Sequence, residues 1–351
     1  MHKVGWMVAG VLGMLLSWGL PVWAESPEIM PSDVAQGGWL TGPVEEPPRE
    51  ARPVSWELGA RLGYWSGDTL YRITFPLDFP YVEGESELVF PVDAVVGGVE
   101  AALIRQRRWA LRALLVTNLT RDTGKMKDSD WLTLGYGRTW NTGNAREKIV
   151  YSESDTEMGA LLLDLHGTFY VLRRAAVALG IVGGYRYQRL DFEVSNVEQW
   201  CPLCRTLGTS DPYAVSVEGK VLTYEIAYDI PYGGVMVDIQ ASPRFALAFL
   251  GAYGRASTED VDDHLLRTKR STAEAQGPFY LLQAVGQYAF SPRLKLRGAV
   301  SYTKVVADGT QKQVWYGATP GEPPQGTVIT GIDYRAESQQ SSVWIVLVYV
   351  F

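Results

Sequence analysis

Several stretches of this chain alternate apolar and polar residues so regularly that only an extended strand, whose successive side chains point to opposite faces, accommodates them. Between Leu294 and Thr303, one face carries Leu294, Leu296, Val300 and Tyr302, and the other carries Lys295, Arg297, Ser301 and Thr303. The run from Ala160 to Val171 repeats the pattern, with Leu161, Leu163, Leu165, Phe169 and Val171 opposed to Asp164, His166, Thr168 and Tyr170. One face of each stretch suits lipid, and the charged face needs a wet interior. In the last segment, Val343, Ile345, Leu347, Tyr349 and Phe351 share a face, but Trp344, Val346, Val348 and Val350 opposite them are apolar too. That segment alone also fits a buried strand of a soluble sandwich.

Hydropathy decides how such strands are used. Its mean over the chain is −0.05, and after residue 24 no segment approaches the roughly 20 apolar residues of a spanning helix. Helical membrane architectures are thereby excluded, whereas a transmembrane barrel averages its lipid-facing and lumen-facing residues to near neutrality. A terminal Phe351 on an alternating strand resembles the ending of outer-membrane barrels. The formal net charge of −7 argues against a nucleic-acid partner, for which a basic face is expected. At the N-terminus, His2 and Lys3 precede an apolar run that ends in Val22-Trp23-Ala24. This reads as a signal peptide over 1–24, cleaved after Ala24 and too short to be a spanning helix. Residues 25–54 form a leader rich in proline (Pro27, Pro31, Pro43, Pro47, Pro48, Pro53), which cannot pair as central strands and is read as a periplasmic or lumen-associated tail.

The fold expected for 55–351 is therefore all-β: a transmembrane antiparallel barrel of about ten strands, an even number as bacterial barrels have. The strands are expected near 55–66, 88–104, 108–121, 156–172, 175–193, 218–240, 245–256, 278–290, 293–305 and 340–351. Tight connections centre on Gln106-Arg107, Arg173-Arg174, Ser242-Pro243-Arg244 and Ser291-Pro292-Arg293, as short periplasmic turns do. The alternate connections, near 67–87, 122–155, 194–217, 257–277 and 306–339, are expected to be long outer loops. No internal repeat or second domain is apparent.

Two motifs in these expected loops carry chemistry: Asp128-Ser129-Asp130-Trp131 and Asp260-Val261-Asp262-Asp263-His264. They follow the third and seventh strands, which in a ring of ten stand nearly opposite each other across the mouth. A carboxylate two residues before an imidazole on extended backbone shares its face, where it can set the tautomer and stabilise the charged ring. An opposing carboxylate pair could hold a water whose proton the imidazole removes. Taken singly, such acidic sequences are common in solvated turns. Asp164 and His166 also share a strand face, although polar pairs facing the lumen are ordinary in barrels.

The two motifs in this order resemble the omptin proteases, and the similarity extends to Leu62-Gly63, Ser66-Gly67, Gly184-Tyr185, Arg189 and Ile230-Pro231-Tyr232. The resemblance implies an outer-membrane endopeptidase with its site facing outward, in which Asp128 and Asp130 form the aspartate pair and Asp262 and His264 the dyad. It implies activated water as nucleophile, with no acyl-enzyme, metal or cofactor. Family members prefer basic residues beside the cleaved bond and line that pocket with acids. Asp260 matches one, while the other falls at Tyr71, with Asp68 nearby as a replacement. Lipopolysaccharide as an activating lipid is a further family trait. Tyr185 and Arg189 match part of its site, but Tyr187 and Ala227 depart from it, and an interfacial aromatic girdle with a snorkelling arginine is the competing interpretation. Cys201 and Cys204, the chain's two cysteines, are expected to be oxidised to a disulfide in a secreted chain. The partners expected are outer-membrane lipid and peptide or protein substrates. The alternative class is a noncatalytic barrel, an adhesin or a structural or binding protein. An enzyme acting on lipid would more naturally use a serine beside a histidine of the same face, and none presents itself.

Overall fold

The computed structural model describes residues 54–77, 81–105, 108–134, 145–174, 176–202 and 215–351. The expected signal peptide and all but the last residue of the leader lie outside them. The described residues form twelve strand segments: β1 (Ser55–Pro76), β2 (Tyr81–Pro91), β3 (Ala94–Arg105), β4 (Trp109–Asn118), β5 (Asp122–Leu134), β6 (Ala145–Arg173), β7 (Val177–Trp200), β8 (Val215–Gln240), β9 (Phe245–His264), β10 (Lys269–Ala289), β11 (Leu294–Trp315) and β12 (Val328–Val350). All neighbouring pairs are antiparallel, and pairing of β1 with β12 closes the sheet into a barrel. Two staves of the wall are each made of two segments, β3 continued by β2 and β4 continued by β5, so the twelve segments make ten staves, the number expected from sequence.

Those two breaks are local. Against β1, the register is the same on both sides of the first break, from Trp65↔Ala94 to Asp68↔Pro91. Across the interruption the Val92 amide still donates to the Gly67 carbonyl at 3.1 Å. Gly67 has φ +137°, and a Cβ there would sit 2.0 Å from the Gln339 carbonyl oxygen, so only glycine lets the strands approach this closely.

At the turn end the wall meets lipid. Trp56, Leu58, Leu62, Leu161, Leu165, Phe169, Ile181, Leu282, Ile345 and Leu347 are exposed on its outside, an arrangement that only an apolar solvent stabilises. The inside of the same band is polar: Glu57 accepts from Lys295 at 2.6 Å and pairs with Arg297, and Asp164 accepts from Arg186 at 2.8 Å and Tyr232 at 2.8 Å. The two alternating stretches thus face lipid and lumen as their sequence indicates. The apolar second face of β12 turns inward, where the Arg61 guanidinium lies 3.8 Å from the centre of the Trp344 ring. The turns are tight too: Ser242 and Ser291 each accept from the amide three residues on, at 3.1 Å. The Gln106-Arg107 turn lies outside the described residues.

Beyond this band the structure corrects the expected long outer loops. Much of 67–87, 122–155, 194–217, 257–277 and 306–339 is strand, and the connection between β9 and β10 shrinks to a 3-10 turn at Leu265–Arg267 followed by Thr268. Continuing the ladder satisfies backbone donors and acceptors that a loop would leave to water. The polarity of both faces inverts on the way. Leu222, Tyr224, Ile226, Tyr228 and Ile230 of β8 point inward and are buried, whereas Glu259 on β9 and Thr272 and Glu274 on β10 face out. The barrel is an inside-out sheet in its lipid band and an ordinary sheet with an apolar interior above it.

Replacing Ile345, in the middle of the band, by arginine should therefore cost about 2–4 kcal/mol. Thr272→Arg, outward-facing but above the band, should stay within about 0.5 kcal/mol of the parent. Urea titration of the vesicle-folded barrel by tryptophan fluorescence measures both.

Candidate active site

The inward faces of β5 and β9 carry the motif residues, and these strands are the third and seventh staves. On β5, Met126, Asp128 and Asp130 alternate inward; on β9, Asp260, Asp262 and His264 do the same. Asp263, of opposite parity, is held by Arg270 at 2.7 Å and Tyr316 at 2.8 Å. The short turn after β9, completed by Thr268 in the left-handed region, places His264 at the very end of its strand.

Asp262 is the best-enclosed of the acids, 1% exposed. Its Oδ2 lies 2.8 Å from His264 Nε2 and accepts a hydrogen bond from the Tyr71 hydroxyl. Burial alone would raise its pKa, but the His264 ring, Lys269 and the Tyr71 hydroxyl together hold it below the ordinary carboxylate value. Asp128 is half-buried, with its Oδ1 cut off from solvent, and burial first, then the charges of Asp130 and Asp262, push its pKa well up. Asp128 and Asp262 thus feel each other's charge across the mouth. Asp260 is raised to about 7, by burial first and by Asp262, against the donors Tyr334, Tyr224 and the Ala273 amide. Tyr224 donates to its Oδ2 at 3.1 Å, and Tyr334 to the same oxygen.

Beneath these acids lies an aromatic floor. Ring centres are 5.2 Å apart for Tyr71 and Tyr224, 4.6 Å for Phe90 and Tyr224, and 4.9 Å for Phe90 and Phe192. Thr69 and Tyr228 share a hydrogen bond of 2.7 Å across the lumen. These contacts tie the first two staves to the fifth and sixth and keep the acids out of the wet chamber below.

Sequence reasoning missed Tyr224, Tyr334 and Lys269. The signal for Tyr224 was present in the strict alternation Leu222, Tyr224, Ile226, Tyr228, Ile230, Tyr232, whose apolar face points inward once the polarity inverts. Tyr334 sat in an expected loop. Lys269 is paired in register with His264, so both side chains share the inner face, and it is 5% exposed.

Other expected residues lie elsewhere. Asp68 has the opposite parity to Tyr71 on an unbroken β1 and faces away from the site, beside Asp93, Glu337 and Glu87. No register shift in β1 brings it inward, so it does not line the site beside Asp260. Tyr71 is inward but 2% exposed. Tyr185 and Arg189 are on the outer wall; Tyr185 donates to Asp229, and Arg189 pairs with Glu225 at 2.8 Å and Asp191 at 2.9 Å. Cys201 is disulfide-bonded, and Cys204 lies outside the described residues. Asp164 and His166, 3.0 Å apart, belong to the polar network of the lipid band rather than to the mouth.

The model of the omptin family matches residues 91–339, more than half of the chain. The chain belongs to the omptin family. This omptin is therefore an outer-membrane protease of the Gram-negative type, and both motif strands fall inside the matched residues. Among solved structures it is similar to the outer membrane protease OmpT from Escherichia coli, with TM-score 0.68 and 17% identity over 86% of this chain and 98% of that one. An outer membrane channel from Pseudomonas putida F1 (TM-score 0.30, 12% identity, 88% of this chain and 100% of that one) and a Pseudomonas aeruginosa FadL homologue (0.25, 9%, 85% and 90%) are more distant. No curated protein matches.

Asp260 makes the omptin's stability depend on pH. Its folded pKa lies above the unfolded one, so the native state binds the extra proton and stability falls as pH rises from about 4 to about 7. Asp260→Asn still accepts from both tyrosines. It should be near neutral at pH 4 and stabilising at pH 8, by up to about 4 kcal/mol at 1.36 kcal/mol per unit, read from denaturant midpoints at the two pH values.

Proposed function

We propose that this protease is an endopeptidase whose site opens to the cell exterior and which hydrolyses peptide bonds with a water held between Asp128 and Asp130 on one side and His264 on the other. The observation that carries this reading is the convergence of β5 and β9: Asp262 lies 2.8 Å from His264 Nε2, and Asp128 is near enough to feel the charge of Asp262. With Nε2 turned to Asp262, Nδ1 is the nitrogen left to take the water's proton as its oxygen adds to the carbonyl carbon. The ionised Asp262 stabilises the imidazolium, which returns the proton to the departing amine when the C–N bond breaks. Free acid replaces the amide directly, with no covalent enzyme intermediate and no cofactor.

The acidic lining of Asp128, Asp130, Asp260 and Asp262 supports a basic residue beside the cleaved bond. That preference is weakened here, because Asp260 has no second pocket acid and its Oδ2 already accepts from two phenols. Lipopolysaccharide is the candidate activating lipid through Tyr185 and Arg189, although Arg189 is already matched by two carboxylates.

The refolded barrel should cut a mixed peptide library, with lipopolysaccharide present and absent as separate arms. Asp128→Ala and His264→Ala, folded equally well, should each lose about 10²–10⁴-fold. Variants that cut as well as the parent, or a parent that leaves every peptide intact, would favour the noncatalytic binding barrel.

A further inference from the structure

Tyr71 stands at the sequence position where the family resemblance expects a substrate-binding acid, yet its surroundings are those of a group turned toward the protein. The residue is 2% exposed, leaving little of it for a substrate to touch. Its ring is fixed among Tyr224 at 5.2 Å, Tyr334 at 5.9 Å and Phe90 at 6.4 Å between centres. Its backbone is locked on both sides, to Ala336 of β12 and Leu88 of β2. Its hydroxyl donates to Oδ2 of Asp262, the oxygen that also faces His264 Nε2, while Asp262 Oδ1 is buried without a hydrogen bond among the described residues.

Resting on the hydrolytic reading above, we propose that Tyr71 is a positioning residue for the Asp262–His264 pair, holding the carboxylate in the orientation from which it orders the imidazole, and not a substrate contact. Three phenols then serve two carboxylates: Tyr71 holds Asp262, while Tyr224 and Tyr334 hold Asp260. A phenol suits this place because burial and the neighbouring Asp262 keep its proton on, so it can only donate to the carboxylate. The groups around Asp262 are Asp260 and His264 on its own strand, Tyr71 on β1, Asp128 on β5, Tyr224 on β8 and Lys269 on β10. Of these, Tyr71 is the one whose loss removes a donor to Asp262 without changing a charge.

The test is Tyr71→Phe in the full refolded barrel, which preserves the ring and removes the hydroxyl. Without that donor the Asp262–His264 pair holds its proton more tightly. The acid limb of kcat should therefore move up by about one pH unit, with kcat at the optimum lowered about tenfold and KM for a cleaved peptide unchanged. Incorporating 3,5-difluorotyrosine at position 71, a stronger donor of nearly the same shape, should move the limb the other way. A rise in KM at constant kcat with the limb in place overturns the proposal and makes Tyr71 a substrate contact. A pH titration of the labelled Asp262 carboxyl carbon by NMR reads the same interaction without catalysis. Its midpoint should rise in Tyr71→Phe, and an unmoved midpoint overturns the proposal even in a barrel that cuts nothing. Loss of the hydrolytic reading would show separately, as a parent without cleavage whose Asp262 titration still answers to Tyr71.

Discussion

Inside the hydrocarbon of a membrane no water is available to a backbone amide, so every donor and acceptor of a spanning strand must be met by another strand. In this chain the pairing of β1 with β12, from Glu57↔Val350 to Thr74↔Asp333, meets that demand by leaving no edge. The consequences reach well past the membrane. Because the closing ladder continues above the lipid band, Tyr71 is built into the wall rather than carried on a loop, and β9 delivers His264 from a strand end. A site mounted on paired strands keeps its carboxylates and imidazole in fixed relative positions.

The second organising constraint is the change of solvent along each strand. In the lipid band the outer face is apolar and the inner face holds ion pairs such as Glu57–Lys295 and Asp164–Arg186; above it, the outer face is charged and the inner face holds Phe90, Phe192 and Tyr224. Strand parity is preserved while polarity inverts. The interior of the upper barrel therefore becomes an aromatic floor, dry enough to raise Asp260 to about 7 and to leave the charge on Asp262 dependent on its partners. Without that floor the acids would sit in the polar chamber of the lower barrel, and the contrast between Asp128, whose pKa is pushed up, and Asp262, whose pKa is held down, would fade.

On one wall of the site the Tyr71 hydroxyl reaches Asp262 and its ring packs against that of Tyr224, which donates to Asp260. Asp68, close in sequence, is on the wrong face. On the outer wall, Arg189 pairs with Glu225 and Asp191, and Ala227 stands opposite it in register.

The sequence by itself determined the staves of the lipid band, because lipid outside and water inside impose a period of two that the Leu294–Thr303 and Ala160–Val171 stretches display openly. It determined the two acidic motifs as well, since residues i and i+2 share a face in any extended strand, whatever surrounds them. Where the solvent changed, the same alternation carried the opposite polarity, and strands such as the outer halves of β1 and β9 read as loops. Only the tertiary structure decided which side of those outer halves faces in, that Tyr224 and Tyr334 hold Asp260, that Lys269 stands opposite His264, and that Tyr71 meets Asp262. Each of these depends on pairing register or on contacts between residues up to 191 positions apart, and such distances are set by closure of the sheet rather than by any local pattern.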